Sequence, residues 1–220
     1  LKKIKLNQIS IILFLFFLLS LIPSTDADSL DYHLGFPLDI LRHQQFIIRE
    51  GWYHSRLAGI GENLILLGLF AGSKNFGQLI NFFGLITITF SLKYLSTKFK
   101  SNLNYIYYIF STPLIIWIVA SQKLTLFTSS IFCLIVMIIS LEKKINKNET
   151  IFIFLSLAFC FFAKVSNLIP SVIIIAYLVK YAFKEKDNKI FIYGLFVFFT
   201  FVFPYFLRNY YLTGDIYYPF

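Results

Sequence analysis

Ile11-Ile-Leu-Phe-Leu-Phe-Phe-Leu-Leu-Ser-Leu-Ile22 is closed by Pro23 and runs straight into Ser24-Thr-Asp-Ala-Asp-Ser-Leu-Asp-Tyr-His-Leu34. An apolar run of this kind, preceded by Lys2, Lys3 and Lys5, reads either as a cleaved signal peptide or as a first transmembrane helix. It lacks a clear small-x-small cleavage site and further apolar runs follow, so an uncleaved helix over 5–23 is expected. Its basic end belongs in the cytoplasm, which puts Asp26, Asp28 and Asp31 on the outer side.

The rest of the chain carries the same theme. It has 220 residues, 58% of them hydrophobic, 20% aromatic and only 14% charged, with a mean hydropathy of +0.73. A soluble domain cannot hide so much apolar surface, and long apolar runs mark membrane spans instead. The net charge of +9 does not point to nucleic acid, because the lysines lie between apolar runs rather than along one face. Cys133 and Cys160 sit inside apolar runs and read as packing residues, with no bearing on redox compartment.

Further crossings are expected at 76–95, 104–121, 124–142, 149–163, 165–183 and 188–207, which makes seven with the first. The fold class is therefore an all-α polytopic membrane protein, a single membrane domain over 1–220 with an outer loop at 24–75. In that loop, Pro37 suits the first turn of a short helix. Ile40, Leu41, Ile47 and Ile48 then share one face, the pattern of a helix lying on the membrane surface. Residues 57–71 are apolar but number only 15 and carry Glu62, which fits an interfacial or re-entrant segment. Lysine placement supports this choice. With 57–71 not spanning, the Lys2–Lys5, Lys93–Lys100, Lys143–Lys147 and Lys180–Lys189 groups all lie inside. A full crossing at 57–71 would move the Lys93–Lys100 and Lys143–Lys147 groups outside, against the positive-inside rule.

Ionisable groups at membrane depth are costly and usually serve a site. On the expected topology Asp26, Asp28, Glu62, His33, His54, Lys123, Lys164 and Arg208 all face outwards. Lys164 sits between two apolar runs, with snorkelling to the interface as its plainer reading. Asp and Ser at the start of a loop are ordinary N-cap residues, which is the plain reading of the acidic cluster. Asp-x-Asp spacing at Asp26 and Asp28 also allows a divalent cation, and a carboxylate there can act as general base. The histidines have neither i,i+4 pairing nor a cysteine partner, so zinc is not expected. No Gly-rich phosphate loop or nucleophile elbow is present.

Taken in order, these stretches resemble the GT-C glycosyltransferases, integral membrane enzymes that use polyprenyl-phosphate-linked sugars, such as protein mannosyltransferases and the lipid A aminoarabinose transferase. Asp28-Ser-Leu-Asp-Tyr-His-Leu is similar to the Asp-x-x-x-Tyr-His-Leu motif that follows the first helix in bacterial members. The Glu62 segment leading into Ser73-Lys-Asn-Phe-Gly resembles the amphipathic segment before the second span. Ser111-Thr-Pro-Leu-Ile-Ile-Trp and Ala163-Lys-Val-Ser resemble later landmarks, and the tail from Arg208 is similar to one seen in uncharacterised relatives.

The resemblance implies transfer of a sugar from a polyprenyl-phosphate donor to an acceptor on the outer face of a bacterial inner (plasma) membrane. It implies Asp28 as the catalytic carboxylate, Asp26 as a possible partner, and Lys164 and Arg208 at the donor phosphate. His33, His54 and Glu62 are further candidates. A divalent metal on Asp26 and Asp28 stays open, because Ser121-Gln-Lys stands where many members carry an Asp between the third and fourth spans. The family also continues through more helices, so an N-terminal fragment is expected. The alternatives are a transporter or flippase for a lipid-linked or anionic substrate, and an inactive truncated remnant.

Overall fold

The computed structural model describes residues 6–45, 52, 59–101, 105–141, 145–185 and 188–214. Among them every regular element is helical. The chain divides into two compact units, one built from residues 1–46 and 61–137 and the other from 47–60 and 138–220.

In the first unit, α1 (Leu6–Ser20) leads to a π-helical turn (Ser29–Leu34) that runs on into α2 (Gly35–His43). Pro37 lies in the first turn of α2, as its missing N–H allows. Then come α3 (Ile60–Phe70), α4 (Phe76–Lys98), α5 (Tyr105–Ser111), α6 (Pro113–Val119) and α7 (Thr125–Leu141). The core forms where α1, α4 and α6 pack together, with Ile9, Phe16, Phe82, Leu85, Ile118 and Val119 buried in one cluster. Gly84 permits a close approach of backbone to backbone: a Cβ there would stand 2.7 Å from the backbone of Leu126.

The second unit contains α8 (Lys147–Ala163), α9 (Leu168–Glu185) and α10 (Asn188–Thr213). A capping box starts α8: Asn146 accepts from the Glu149 N–H while Glu149 accepts from the Asn146 N–H, so two otherwise unpaired helix-end donors are satisfied. Ile153, Phe154, Leu157 and Ala158 of α8 are buried. α10 packs against this helix, with Gly194 directly over the Phe154 ring.

Among the described residues, two helical stretches, Phe76–Lys98 and Phe191–Tyr211, are long and apolar enough to cross a membrane. Seven such helices were expected, and several of the others are shorter. α8 has 17 residues, or about 26 Å at 1.5 Å per residue against a hydrocarbon core of about 30 Å, while α1 begins at the first described residue and α7 ends at the edge of a described stretch. Within the described residues, the run at 104–121 is two helices, α5 and α6, rather than one. Pro113 is the cause: it drives the preceding Thr112 into an extended conformation, φ −76° and ψ 119°, which ends α5 and lets Pro113 open α6. The segment read as too short to span is α3, with 11 residues. Ile47 and Ile48, assigned to the face of a surface helix, lie outside the described residues, as do His54 and the tail beyond Gly214.

Candidate functional site

Asp26 and Asp28, two residues apart, have different roles. The Asp26 carboxylate accepts the backbone N–H of Ser29 at 2.9 Å, three residues on, and so caps the helical turn that begins after it. Asp28 lies within that turn and makes no side-chain cap. Its Oδ2 stands 2.7 Å from Lys123 Nζ, with Asp26 Oδ1 at the edge of the same ammonium at 4.0 Å. The Lys123 ammonium also sits over the Trp117 ring, 4.2 Å from its centroid, where the ring quadrupole favours a cation. Asp26 and Lys123 are largely buried, but the Asp28 side chain is 48% exposed.

Lys123 reaches Asp28 because three segments are tied together by buried amides. From α4, Gln78 Nε2 donates to the carbonyls of Ile22 and Ala120. One turn on, Asn81 Nδ2 donates to the carbonyls of Ile118, Ser121 and Lys123, while its Oδ1 accepts from the Leu126 N–H. Gln122 Oε1 accepts from the Gly77 N–H and its Nε2 donates to the Lys74 carbonyl. The Gln122 backbone N–H donates to Ser29 Oγ at 2.9 Å, which binds the 121–123 turn directly to the turn holding Asp28. Gln78, Asn81 and Gln122 are at most 1% exposed. Buried amides satisfied in this way fix one loop geometry, since any other arrangement leaves polar groups unpaired at about 1–3 kcal/mol each.

His33 and Glu62 form a second pair in the same unit. His33 Nδ1 lies 2.8 Å from Glu62 Oε1, with Glu62 at 3% exposure and His33 at 16%. The His33 ring also lies against that of Tyr32, centroids 4.4 Å apart. Asp31 is exposed.

The other expected site residues fall in the second unit. Lys164 is exposed and extended, φ −163° and ψ 125°. It breaks the chain between α8 and a short 3-10 turn, and its carbonyl accepts the Asn167 N–H at 2.9 Å. Arg208 is partly buried near the end of α10, beside the buried Asn209. The pairs brought together are thus Asp26 and Asp28 with Lys123, and His33 with Glu62.

Among the described residues there is no group of three or more His, Cys, Asp or Glu able to hold a metal ion. A divalent ion between Asp26 and Asp28 would have to lie against the Lys123 ammonium, so the donor set as arranged does not fit one. The positive charge there is a lysine. The sequence places Lys123 among the outward-facing ionisable groups but gives it no site role, and Ser121-Gln-Lys stands out there only as a departure from an acidic pattern. The available signal was Gln78 and Asn81, two amides one turn apart in a helix of membrane length, which call for buried partners.

Residues 2–212 match the family model described as DUF1420 N-terminal domain. No curated protein and no solved structure matches the chain.

Proposed function

The chain belongs to the DUF1420 N-terminal domain family, and for this member we propose a membrane glycosyltransferase that moves a sugar from a polyprenyl-phosphate-linked donor to an acceptor on the outer face of the membrane. The observation that carries this reading is Asp28: a carboxylate almost half exposed, in the turn after the first apolar helix, beside a largely buried Lys123 and Asp26. Such a group is reachable by an acceptor hydroxyl yet held in place, as a general base requires.

In the proposed step the acceptor oxygen attacks the anomeric carbon from the face opposite the phosphate. The new C–O bond forms as the bond from that carbon to the phosphate oxygen breaks. The hydroxyl proton passes to Asp28, and the bonding pair leaves on the polyprenyl phosphate, whose charge a neighbouring cation stabilises. The resemblance to GT-C enzymes gives Lys164 and Arg208 a phosphate role, but both belong to the second unit, and the cation beside Asp28 is Lys123. The outer-face location in a bacterial inner membrane rests on lysine placement and on the same resemblance.

The test is transfer from a radiolabelled polyprenyl-phosphate sugar in membranes carrying the full chain or its Asp28→Asn variant. Loss of about 100-fold or more is expected for removal of a general base. Undiminished transfer by the variant would sink the assignment. Movement of the lipid-linked sugar across vesicles with no glycosidic bond formed would favour a carrier instead.

A further inference from the structure

We propose that Lys123 is the anion-binding cation of this site, and that Asp28 competes with the phosphate ester of the ligand for its ammonium. The proposal rests on the glycosyltransferase reading and adds to it the residue that meets the phosphate and the coupling between ligand arrival and the base.

Lys123 is placed for exchange in three respects. Its backbone is pinned, because its carbonyl accepts from Asn81 and the neighbouring Gln122 is bonded to Ser29 and Lys74. Its side chain is a flexible four-carbon stem ending on two carboxylates and a Trp117 face, with 15% of its surface open. The carboxylate that holds it most closely, Asp28 at 2.7 Å, is the most exposed member of the group. Pairs open to water are weak. The donor's phosphate, a diester, brings one negative charge on two non-bridging oxygens, and the polyprenyl phosphate released from it brings more charge on three, so both compete with a half-solvated carboxylate for the ammonium.

Exchange has a consequence for Asp28. A carboxylate beside an ammonium is a weaker base than one without it, because the positive charge favours the ionised form. When a phosphate draws Lys123 away, Asp28 loses that partner and gains an anionic neighbour, and both changes raise its proton affinity. The base is therefore armed when the donor is seated and restrained when the site is empty. One lysine serves the two charges that a metal ion between Asp26 and Asp28 would otherwise serve.

The experiment measures binding of a polyprenyl phosphate, and separately of inorganic phosphate, to the full chain in lipid nanodiscs containing EDTA. Wild type is compared with Lys123→Gln, Lys123→Arg and Asp28→Asn, and thermal midpoints are recorded for each. Lys123→Gln is expected to weaken binding about tenfold or more, as loss of one charge-assisted contact does, and Lys123→Arg to restore most of it. Asp28→Asn is expected to tighten binding, because it removes the competitor. That opposite sign is what a purely structural ion pair does not produce: if both variants weaken binding in step with lost thermal stability, the proposal is overturned. If Lys123→Gln binds normally while Asp28→Asn abolishes transfer, the proposal falls and the glycosyltransferase reading stands. If inorganic phosphate shows both expected signs and the polyprenyl chain adds no affinity, Lys123 is confirmed as the anion site and the lipid-linked donor is lost.

Discussion

Asn81 holds the carbonyl of Lys123 with one end of its side-chain amide and the N–H of Leu126 with the other. One residue of α4 therefore sets the turn from which Lys123 reaches Asp28. Asn81→Ala leaves several buried backbone groups unpaired and is expected to cost about 3 kcal/mol or more. Asn81→Asp keeps the acceptor for Leu126 but turns a carboxylate toward the carbonyls of Ile118, Ser121 and Lys123. It is expected to be at least as damaging at neutral pH. Unfolding in mixed micelles measures both, and an Asp variant as stable as wild type contradicts this account of the turn.

Glu62 and His33 make a largely buried contact, His33 Nδ1 lying 2.8 Å from Glu62 Oε1. Glu62→Gln retains an acceptor for the imidazole and is expected to cost less than about 1 kcal/mol, whereas Glu62→Leu strands His33 and is expected to cost about 1–3 kcal/mol. The same unfolding assay ranks them. Equal effects from the two substitutions would remove the hydrogen-bonding explanation.

Gly84 and Gly72 should respond differently to alanine. At Gly84 the new methyl meets the backbone of Leu126 and Phe127 at 2.7 Å, and overpacking against backbone is expected to cost about 1–3 kcal/mol. At Gly72 the space is open but φ is +80°, so the cost is backbone strain of about 1 kcal/mol. Gly84→Ala is also expected to weaken phosphate binding, because it displaces the 121–126 segment. Gly72→Ala is expected to leave that binding unchanged.

The two ends of α4 should label from opposite sides of the membrane. The helix has 23 residues, about 34 Å at 1.5 Å per residue, enough to cross. With Cys133 and Cys160 replaced by alanine, Lys74→Cys is expected to react with a membrane-impermeant maleimide in intact cells. Lys98→Cys is expected to react only after permeabilisation. Labelling of both from one side would remove the topology drawn from lysine placement.

Helix positions were legible to within a few residues wherever an apolar run ended in a residue with a backbone reason to stop it. Pro23 and the polar turn after it close α1. Lys164 divides the run between α8 and α9, and the lysines after α4 and α9 mark their ends. The break within the run at 104–121 was not legible, because hydropathy averages over Thr112-Pro113, whose effect is on the backbone. The candidate site was legible only in part. Asp28 stood out from Asp26 through the resemblance of Asp28-Ser-Leu-Asp-Tyr-His-Leu to a GT-C motif, but composition and spacing gave no physical reason to separate them. That distinction depends on which oxygen meets the Ser29 N–H and which meets Lys123.

Composition and order of residues by themselves determined an all-helical chain with apolar segments and an acidic turn behind the first of them. These properties follow from solvent preference and local backbone sterics, which act over a few neighbouring residues. Tertiary structure alone decided that Lys123, distant in sequence, neutralises Asp28, and that Glu62 meets His33. Those contacts exist because buried amides such as Gln78, Asn81 and Gln122 must find partners, and only the packing of α1, α4 and α6 determines which backbone groups are within their reach.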